Sequence, residues 1–131
     1  LPGVAEVLST LEARGSMLAV ASNKPPDFSR LILEAKGVAR FFRAIEGPGP
    51  AMPAKPDPAM LRRAMAQAGA DPSATLVVGD MEVDSEFARA GGCGVVLIAS
   101  GSRSRAELEQ ADADALLDDI GELPGWLAKH L

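Results

Sequence analysis

The chain has 131 residues, a net charge of −5 and a single cysteine, and 47% of its residues are hydrophobic. A chain of this length buries its apolar residues in one core, so we expect residues 1–131 to form part of one domain without a linker. The acidic balance, with an isoelectric point near 4.8, argues against a nucleic-acid or anionic-membrane surface, because both need clustered lysine and arginine. A small molecule is the expected partner.

Cysteine content and hydropathy bear on cellular location. Cys93 has no second cysteine to pair with, and its apolar neighbours predict a buried structural thiol, which fits a reducing cytoplasm. No apolar run approaches the roughly 18 residues that a membrane-spanning helix needs, so we expect neither a membrane span nor a signal peptide. Because the printed sequence begins at Leu1 rather than methionine, we expect that an earlier segment was removed.

The first half of the chain alternates between apolar residues at helical spacing and short continuous apolar runs. In the second predicted helix, Phe28, Leu31 and Ile32 are expected to face inward. The predicted elements are a helix from Pro2 to Gly15, a strand over 17–21, a helix over 27–35, a strand over 41–45, a Gly/Pro-rich loop over 47–53 and a helix over 58–68.

The second half continues the same alternation. Its predicted elements are a strand from Thr75, a helix ending near Ala90, a strand over 94–99, a helix over 103–110, a minimal edge strand at 116–117 and one final helix over 119–131, whose apolar stripe is interrupted at Pro124. Strands that alternate with helices predict an α/β fold, in which right-handed crossovers connect the strands of a parallel sheet.

Two aspartates follow the strand that begins at Thr75. The apolar run Leu76-Val77-Val78 ends at Gly79-Asp80, and Asp84 comes one helical turn later. Because carboxylates held close together raise each other's pKa, a hard cation such as Mg²⁺ would stabilise the pair. The simpler alternative is that Asp80 ends the strand and Asp84 caps the next helix, both of which are common roles of aspartate.

Polar side chains also follow other predicted strands. Ser22, Asn23 and Lys24 stand at the end of the strand over 17–21, and Lys55 lies in the loop before the helix over 58–68. A hydroxyl, an ammonium group and a carboxylate pair with a cation are what a transferring phosphoryl group needs, because its oxygens require hydrogen bonds and positive charge.

In this order and spacing, these motifs resemble those of the haloacid-dehalogenase (HAD) superfamily, and most closely its phosphoglycolate-phosphatase branch. Ala21-Ser22-Asn23-Lys24 is similar to the second motif of the superfamily, Lys55-Pro56 to the third, and residues 78–84 with Ala90-Gly91-Gly92 to the fourth. The resemblance implies a three-layer, Rossmann-like, HAD-like core, in which helices cover both faces of a parallel sheet.

The resemblance also implies a role for each candidate residue. Four of them would act on the phosphoryl group or its surroundings and two would act on Mg²⁺. Ser22 would donate to a phosphoryl oxygen beside the Asn23 backbone amide, Lys24 would face the substrate, Lys55 would offset charge on the nucleophile, Asp80 would ligate Mg²⁺, and Asp84 would do so directly or through water.

One motif of the resemblance has no counterpart here. The family's nucleophile lies in an Asp-x-Asp-Gly-Thr segment at the end of the first strand, and the 131 residues contain no such segment. Asp112-Ala113-Asp114 has the Asp-x-Asp spacing, but it is predicted to be a solvated turn. The resemblance therefore implies that residues 1–131 are the C-terminal portion of a HAD-like core and that the central first strand is missing.

The missing strand would lie between the strand that ends at Ser22 and the one that ends at Asp80. Unpaired strand edges recruit other strands, so we expect that a longer enzyme or a second polypeptide supplies the strand, or that the two edges collapse together. Without a nucleophile, the chain by itself is predicted to be inactive.

We therefore expect the complete protein to be a Mg²⁺-dependent phosphatase that hydrolyses a small phosphomonoester resembling phosphoglycolate by way of a phosphoaspartate. A dehalogenase or phosphomutase of the same superfamily is one alternative, and a non-catalytic module that binds a metal or phosphate is another. Cys93 and His130 give no support to a thiol or Ser-His hydrolase.

Overall fold

The structure is a computed structural model, and it describes residues 3–99, 101 and 103–130. Helices and strands alternate along the chain, as the apolar patterns predict. The helices are α1 (Val4–Ala13), α2 (Pro26–Ala35), α3 (Ala59–Ala68), α4 (Glu82–Ala90), α5 (Arg105–Leu108) and α6 (Leu123–His130), and the strands are β1 (Leu18–Ala21), β2 (Phe42–Glu46), β3 (Leu76–Gly79), β4 (Gly94–Ile98) and β5 (Ala115–Leu117).

All strand pairs in the structure are parallel. β1 pairs with β2, with Ala21 opposite Glu46, and β4 lies between β3 and β5, with Val77 opposite Val95. Parallel neighbours need crossover connections, and helices supply most of them here. The predicted α/β class with a parallel sheet is confirmed.

The strand β4 lies at the centre of the core because both of its faces are covered by helices. Val95 and Leu97 pack with residues of α3, α4 and α5, whereas Val96 and Ile98 pack with residues of α1 and α6. Successive side chains of a strand point to opposite faces, so a continuous apolar run is typical of a strand buried on both sides. The result is the expected three-layer arrangement.

The helix layers hold the β1–β2 pair and the three-stranded sheet together. Met60 and Leu61 of α3, which packs on β1 and β2, share one apolar cluster with Phe87 of α4. On the other side, Leu11 of α1 packs with Leu127 of α6. The two strand groups are therefore fixed in one body by helix packing.

A cleft of about 650 Å³ separates β1 from β3. The two strands are not hydrogen-bonded to each other, so the expected alternative in which their edges collapse together is wrong. Met17 and Val78, which line the cleft, are 56% and 39% exposed. Residues of β1 and β3 form its walls, and α1, α3, α4 and α6 contribute the rest of its apolar lining.

The inward face of α2 differs from the prediction. Phe28 and Leu31 are 51% and 65% exposed, so two of the three residues expected to face inward point to solvent. The helix contacts β2 and the short turn Ala39–Phe41, and the residue it buries is Ser29, with Leu33 packed against a neighbouring cluster. The side of α2 that packs inward carries the polar Ser29. The apolar residues alone therefore predicted the wrong side of the helix.

The C-terminal elements also differ in detail. The helix predicted over 103–110 is only one turn long, α5, and its N-cap Ser104 accepts from the Glu107 N–H. Pro124 does not interrupt the last helix, because it lies in the first turn of α6, where proline needs no intrahelical partner. Pro2 and Leu131, which were included in the predicted terminal helices, lie outside the described residues.

Asp112 and Asp114 are exposed, as expected of a solvated segment, but their carboxylates also pair with Arg89. The Arg89 guanidinium donates to both carboxylates at 3.1–3.3 Å, and Asp114 Oδ2 also accepts from the Val95 N–H at 2.8 Å. This cluster, which we call the Arg89 clasp, joins α4 to the connection before β5. The hydrogen bond from the Val95 N–H, and to a smaller extent the hydrogen bonds from Arg89, hold the pKa of Asp114 below its usual range.

The lowered pKa of Asp114 predicts how stability depends on pH. A carboxylate with a depressed pKa in the folded state stabilises the fold above the unfolded-state pKa of about 3.9, and this stabilisation is lost as the pH falls through the folded-state value. We expect Asp114→Asn to lower the free energy of unfolding at pH 7 and the difference from the wild type to shrink below about pH 4. Urea unfolding from pH 7 to 3 measures this, with the exposed Asp71→Asn as control; a difference that stays constant with pH would contradict it.

The remaining sequence expectations concern Cys93 and membrane crossing. Cys93 is buried, its Sγ lies 3.6 Å from Met65 Sδ, and burial raises the pKa of the thiol, which agrees with a structural role. No helix in the described part of the chain has both the length and the apolar character needed to cross a membrane.

Candidate functional site

The carboxyl ends of β1 and β3 meet around one lysine. Lys55 Nζ donates to the backbone oxygen of Ala21, the last residue of β1, at 3.1 Å. It also donates to Asp84 Oδ1 at 2.7 Å, and Asp84 lies in α4, which follows β3. The lysine therefore bridges the two sides of the cleft at the edge where ligands bind in open α/β sheets.

The surroundings of Lys55 are largely buried. The side chains of Lys55 and Asp84 are only 12% and 8% exposed, and Lys55 Nζ lies 5.5 Å from the centre of the Phe87 ring. Asp84 and Phe87 are three residues apart and so share one face of α4. This face supplies a carboxylate and an aromatic surface for the ammonium group, both of which stabilise a buried positive charge.

Asp84 also caps its helix, which was the simpler alternative for this residue. Its Oδ2 accepts from the backbone N–H groups of Asp80 at 3.1 Å and Met81 at 3.2 Å. An acidic group in the first turn satisfies donors that have no intrahelical partner. Both carboxylate oxygens of Asp84 are thus engaged, one by Lys55 and one by the backbone.

Gly79 makes this arrangement of Asp84 possible. A Cβ atom added at Gly79 would overlap the Asp84 carboxyl group, so only glycine leaves room for that carboxylate beside the strand end. A glycine at a strand end allows a close approach to the backbone, and the group that approaches Gly79 is the Asp84 side chain.

We expect Gly79→Ala to lower the free energy of unfolding by about 2 kcal/mol, because the added methyl group forces Asp84 away from Lys55 and the backbone donors. Gly49→Ala is the matched control, since a Cβ atom at Gly49 meets nothing within 4 Å, and a change within about 0.5 kcal/mol is expected there. Urea unfolding of both variants measures the difference. Equal stabilities would show that Asp84 has room to move without loss.

Asp80 lies at the same end of the cleft, which it lines together with Lys55 and Asp84. It is half-buried, and no described side chain forms a hydrogen bond or an ion pair with its carboxylate. Gly101, in the loop after β4, packs so closely that a Cβ atom there would overlap Asp80 Oδ2. Arg103 follows in this loop and pairs with Glu82 of α4 at 3.1 Å.

The packing of this loop against Asp80 was not predicted from the sequence. The available signal was weak: Gly101 stands between two serines after a buried strand, at the carboxyl edge where the other candidates lie. The ion pair between Arg103 and Glu82 spans 21 residues, and no local pattern indicates it.

Asp80 and Asp84 supply the kind of donor that suits a hard cation, namely carboxylate oxygens. Within the part of the chain that the structure describes, no group of three or more acidic, histidine or cysteine side chains is placed to hold a metal ion. Asp80 fits as one ligand, whereas the oxygens of Asp84 are already engaged by Lys55 and the backbone. The described residues therefore do not form a complete cation site by themselves, and Asp80 is the carboxylate among them with oxygens suited to a cation.

Ser22, Asn23 and Lys24 follow β1 at the same edge but do not line the cleft. Ser22 Oγ accepts from the Lys24 N–H at 3.1 Å, which leaves the hydroxyl proton able to donate elsewhere. The Asn23 side chain pairs with the backbone of Lys55. Lys24 Nζ lies 5.9 Å from the centre of the Phe28 ring.

Known proteins are similar to this chain in sequence and in fold. The family model described as HAD-hydrolase-like matches residues 53–123, more than half of the chain, and this range contains Lys55, Asp80 and Asp84. The phosphoglycolate phosphatase of Pseudomonas syringae pv. syringae (strain B728a) is 38% identical over 128 residues, which cover 96% of this chain and 47% of that protein. The chain spans about half the length of the curated relatives it matches.

Solved structures of hydrolases have a similar fold. A predicted phosphoglycolate phosphatase from Haemophilus somnus has a TM-score of 0.89 and 32% identity, and the match covers 96% of this chain and 56% of that one. A HAD family hydrolase from Deinococcus radiodurans R1, crystallised with bound phosphate and sodium, has a TM-score of 0.89 and 25% identity over 98% of this chain and 59% of that one. The chain therefore belongs to the HAD-like hydrolases and is similar to their phosphoglycolate phosphatases.

Proposed function

We propose that the complete protein is a phosphatase that hydrolyses a small phosphomonoester, and that residues 1–131 supply the Lys55, Asp84 and Asp80 side of its active site. The observation that carries this proposal is the bridge of Lys55 between Ala21 and Asp84 at the mouth of the cleft, beside the Asp80 carboxylate. A fixed ammonium group at this edge can offset the negative charge of a phosphate and of an attacking carboxylate.

Asp80 is proposed to hold Mg²⁺, with further ligands from outside the described residues, and Asp84 to act on the ion through water, because its oxygens already accept hydrogen bonds. When bound, the cation would offset charge on the phosphoryl oxygens. Lys55 and the Ser22 hydroxyl would orient the same oxygens, and Asn23 and Lys24 would border the substrate.

The cleft is the proposed place of a further parallel strand. β1 and β3 each turn an unpaired edge toward it, and unpaired edges bind added strands. In the first motif of the HAD family, such a strand ends in the nucleophilic aspartate, which would lie between Lys55 and Asp80. We place this strand in the part of the protein that makes the relatives about twice as long, and we expect hydrolysis to proceed by way of a phosphoaspartate.

Phosphoglycolate is the proposed substrate, because the similar curated relatives are named for it. The Deinococcus radiodurans hydrolase of similar fold was crystallised with bound phosphate, which supports a phosphorylated substrate. A cytoplasmic location is proposed from the buried, unpaired thiol of Cys93.

The test is an assay of the complete protein with p-nitrophenyl phosphate and phosphoglycolate, with Mg²⁺ and with a chelator. We expect Mg²⁺-dependent release of phosphate and a preference for phosphoglycolate. Residues 1–131 assayed alone, at equal concentration, are expected to be inactive. Halide release that survives the chelator would favour a dehalogenase, and absence of any turnover by the complete protein would favour a binding module.

A further inference from the structure

Asn23 makes a two-point contact with the segment that carries Lys55. Asn23 Oδ1 accepts from the Lys55 backbone N–H at 2.7 Å, and Asn23 Nδ2 donates to the Lys55 backbone oxygen at 3.3 Å. A side-chain amide is the group that matches both a backbone donor and a backbone acceptor, as in a strand pair. The contact joins positions 32 residues apart.

Residues at the end of β1 therefore hold Lys55 at both ends. Asn23 binds the backbone of Lys55, and the Ala21 oxygen accepts from its ammonium group at 3.1 Å. Pro56 follows and restricts the backbone of Lys55. Hydrogen bonds therefore hold both the backbone of Lys55 and the ammonium group at the end of its side chain.

We infer that Asn23 is a positioning residue that acts through Lys55: its side-chain amide fixes the backbone of Lys55, so that the ammonium group lies beside Asp84 rather than in solvent. This inference rests on the proposed function for its activity readout, and it assigns the Asn23 side chain a role separate from any contact of its backbone amide with substrate. Misplacement of a catalytic group by about 1 Å lowers turnover by up to about a hundredfold.

The contact itself is tested without reference to activity. Because Asn23 Oδ1 is the acceptor for the exposed Lys55 N–H, Asn23→Ala is expected to speed hydrogen exchange of the Lys55 amide at least about tenfold, measured by NMR on the complete protein. The matched control Gln67→Ala, which removes an exposed amide from α3, should leave this exchange unchanged. Unchanged exchange in Asn23→Ala would overturn the inference, whatever the protein catalyses.

A double-mutant cycle on the complete protein then tests how Asn23 acts. We expect Asn23→Ala to lower kcat for p-nitrophenyl phosphate about tenfold or more with little change in KM, and to have no further effect on kcat when Lys55→Ala is already present. Multiplicative losses, or a loss confined to KM, would overturn the inference, because they would mean that Asn23 acts on substrate directly or on the fold in general. Wild-type activity of Lys55→Ala, or an inactive wild type, would instead refute the proposed function, and the exchange result would then decide the contact alone.

Discussion

Replacing Asp80 with asparagine is expected to lower the phosphatase activity of the complete protein by two to three orders of magnitude, while the fold stays intact. A cation that stabilises transition-state charge contributes several kcal/mol, and about 1.4 kcal/mol corresponds to a factor of ten. Asparagine keeps the shape of aspartate but removes the charge that binds the cation. Steady-state turnover of p-nitrophenyl phosphate over a range of Mg²⁺ concentrations measures the effect.

The control for Asp80→Asn is Asp71→Asn, which makes the same chemical change at an exposed position before the short turn Pro72–Ala74. We expect near wild-type turnover there and similar unfolding curves for both variants. Near-normal turnover by Asp80→Asn at low Mg²⁺ would refute the assignment of Asp80 as a ligand.

Replacing Lys55 with alanine is expected to damage both activity and stability. Activity should fall by orders of magnitude, because no other described ammonium group lies between Ala21 and Asp84. The free energy of unfolding should fall by about 3 kcal/mol, because removal of one partner leaves a buried charge uncompensated. Turnover of p-nitrophenyl phosphate and urea unfolding report the two effects separately.

Two further variants separate these effects. Lys36 is an exposed lysine at the end of α2. Lys36→Ala should change neither the turnover nor the free energy of unfolding by much. Adding Asp84→Asn to Lys55→Ala should recover part of the lost stability, since the unpaired charge is gone, and none of the lost activity. Recovery of activity in the double variant would contradict a direct role of Lys55 in the reaction.

The sequence was sufficient for the features that depend on local pattern. The apolar run over 94–99 predicted a strand because nearly every residue in it is apolar, and the structure confirms this with β4 (Gly94–Ile98), which is covered on both faces. Gly79, Asp80 and Asp84 stood out as a group because they follow a predicted strand, and the structure places all three at the end of the cleft. Phe28 and Leu31 were misplaced because helical spacing shows which residues share a face but not which face meets the sheet.

Contacts between distant segments could not be predicted in the same way. Asn23 and Lys55 each stood out alone, yet no local signal indicates that a side-chain amide binds the backbone of a loop 32 residues away. The Arg89 clasp was missed for the same reason, since Asp112 and Asp114 have the composition of an exposed turn. Such pairs are set by the crossover geometry of the whole sheet.

The bridge formed by Lys55 has a consequence for protein engineering. One ammonium group links the two strand groups and, in the proposed function, also supplies the positive charge at the reaction centre. A library screened for heat resistance alone would therefore discard apolar replacements of Lys55 that leave Asp84 charged and unpaired. It would retain only variants in which Asp84 is replaced as well, and under the proposed function those variants would be inactive.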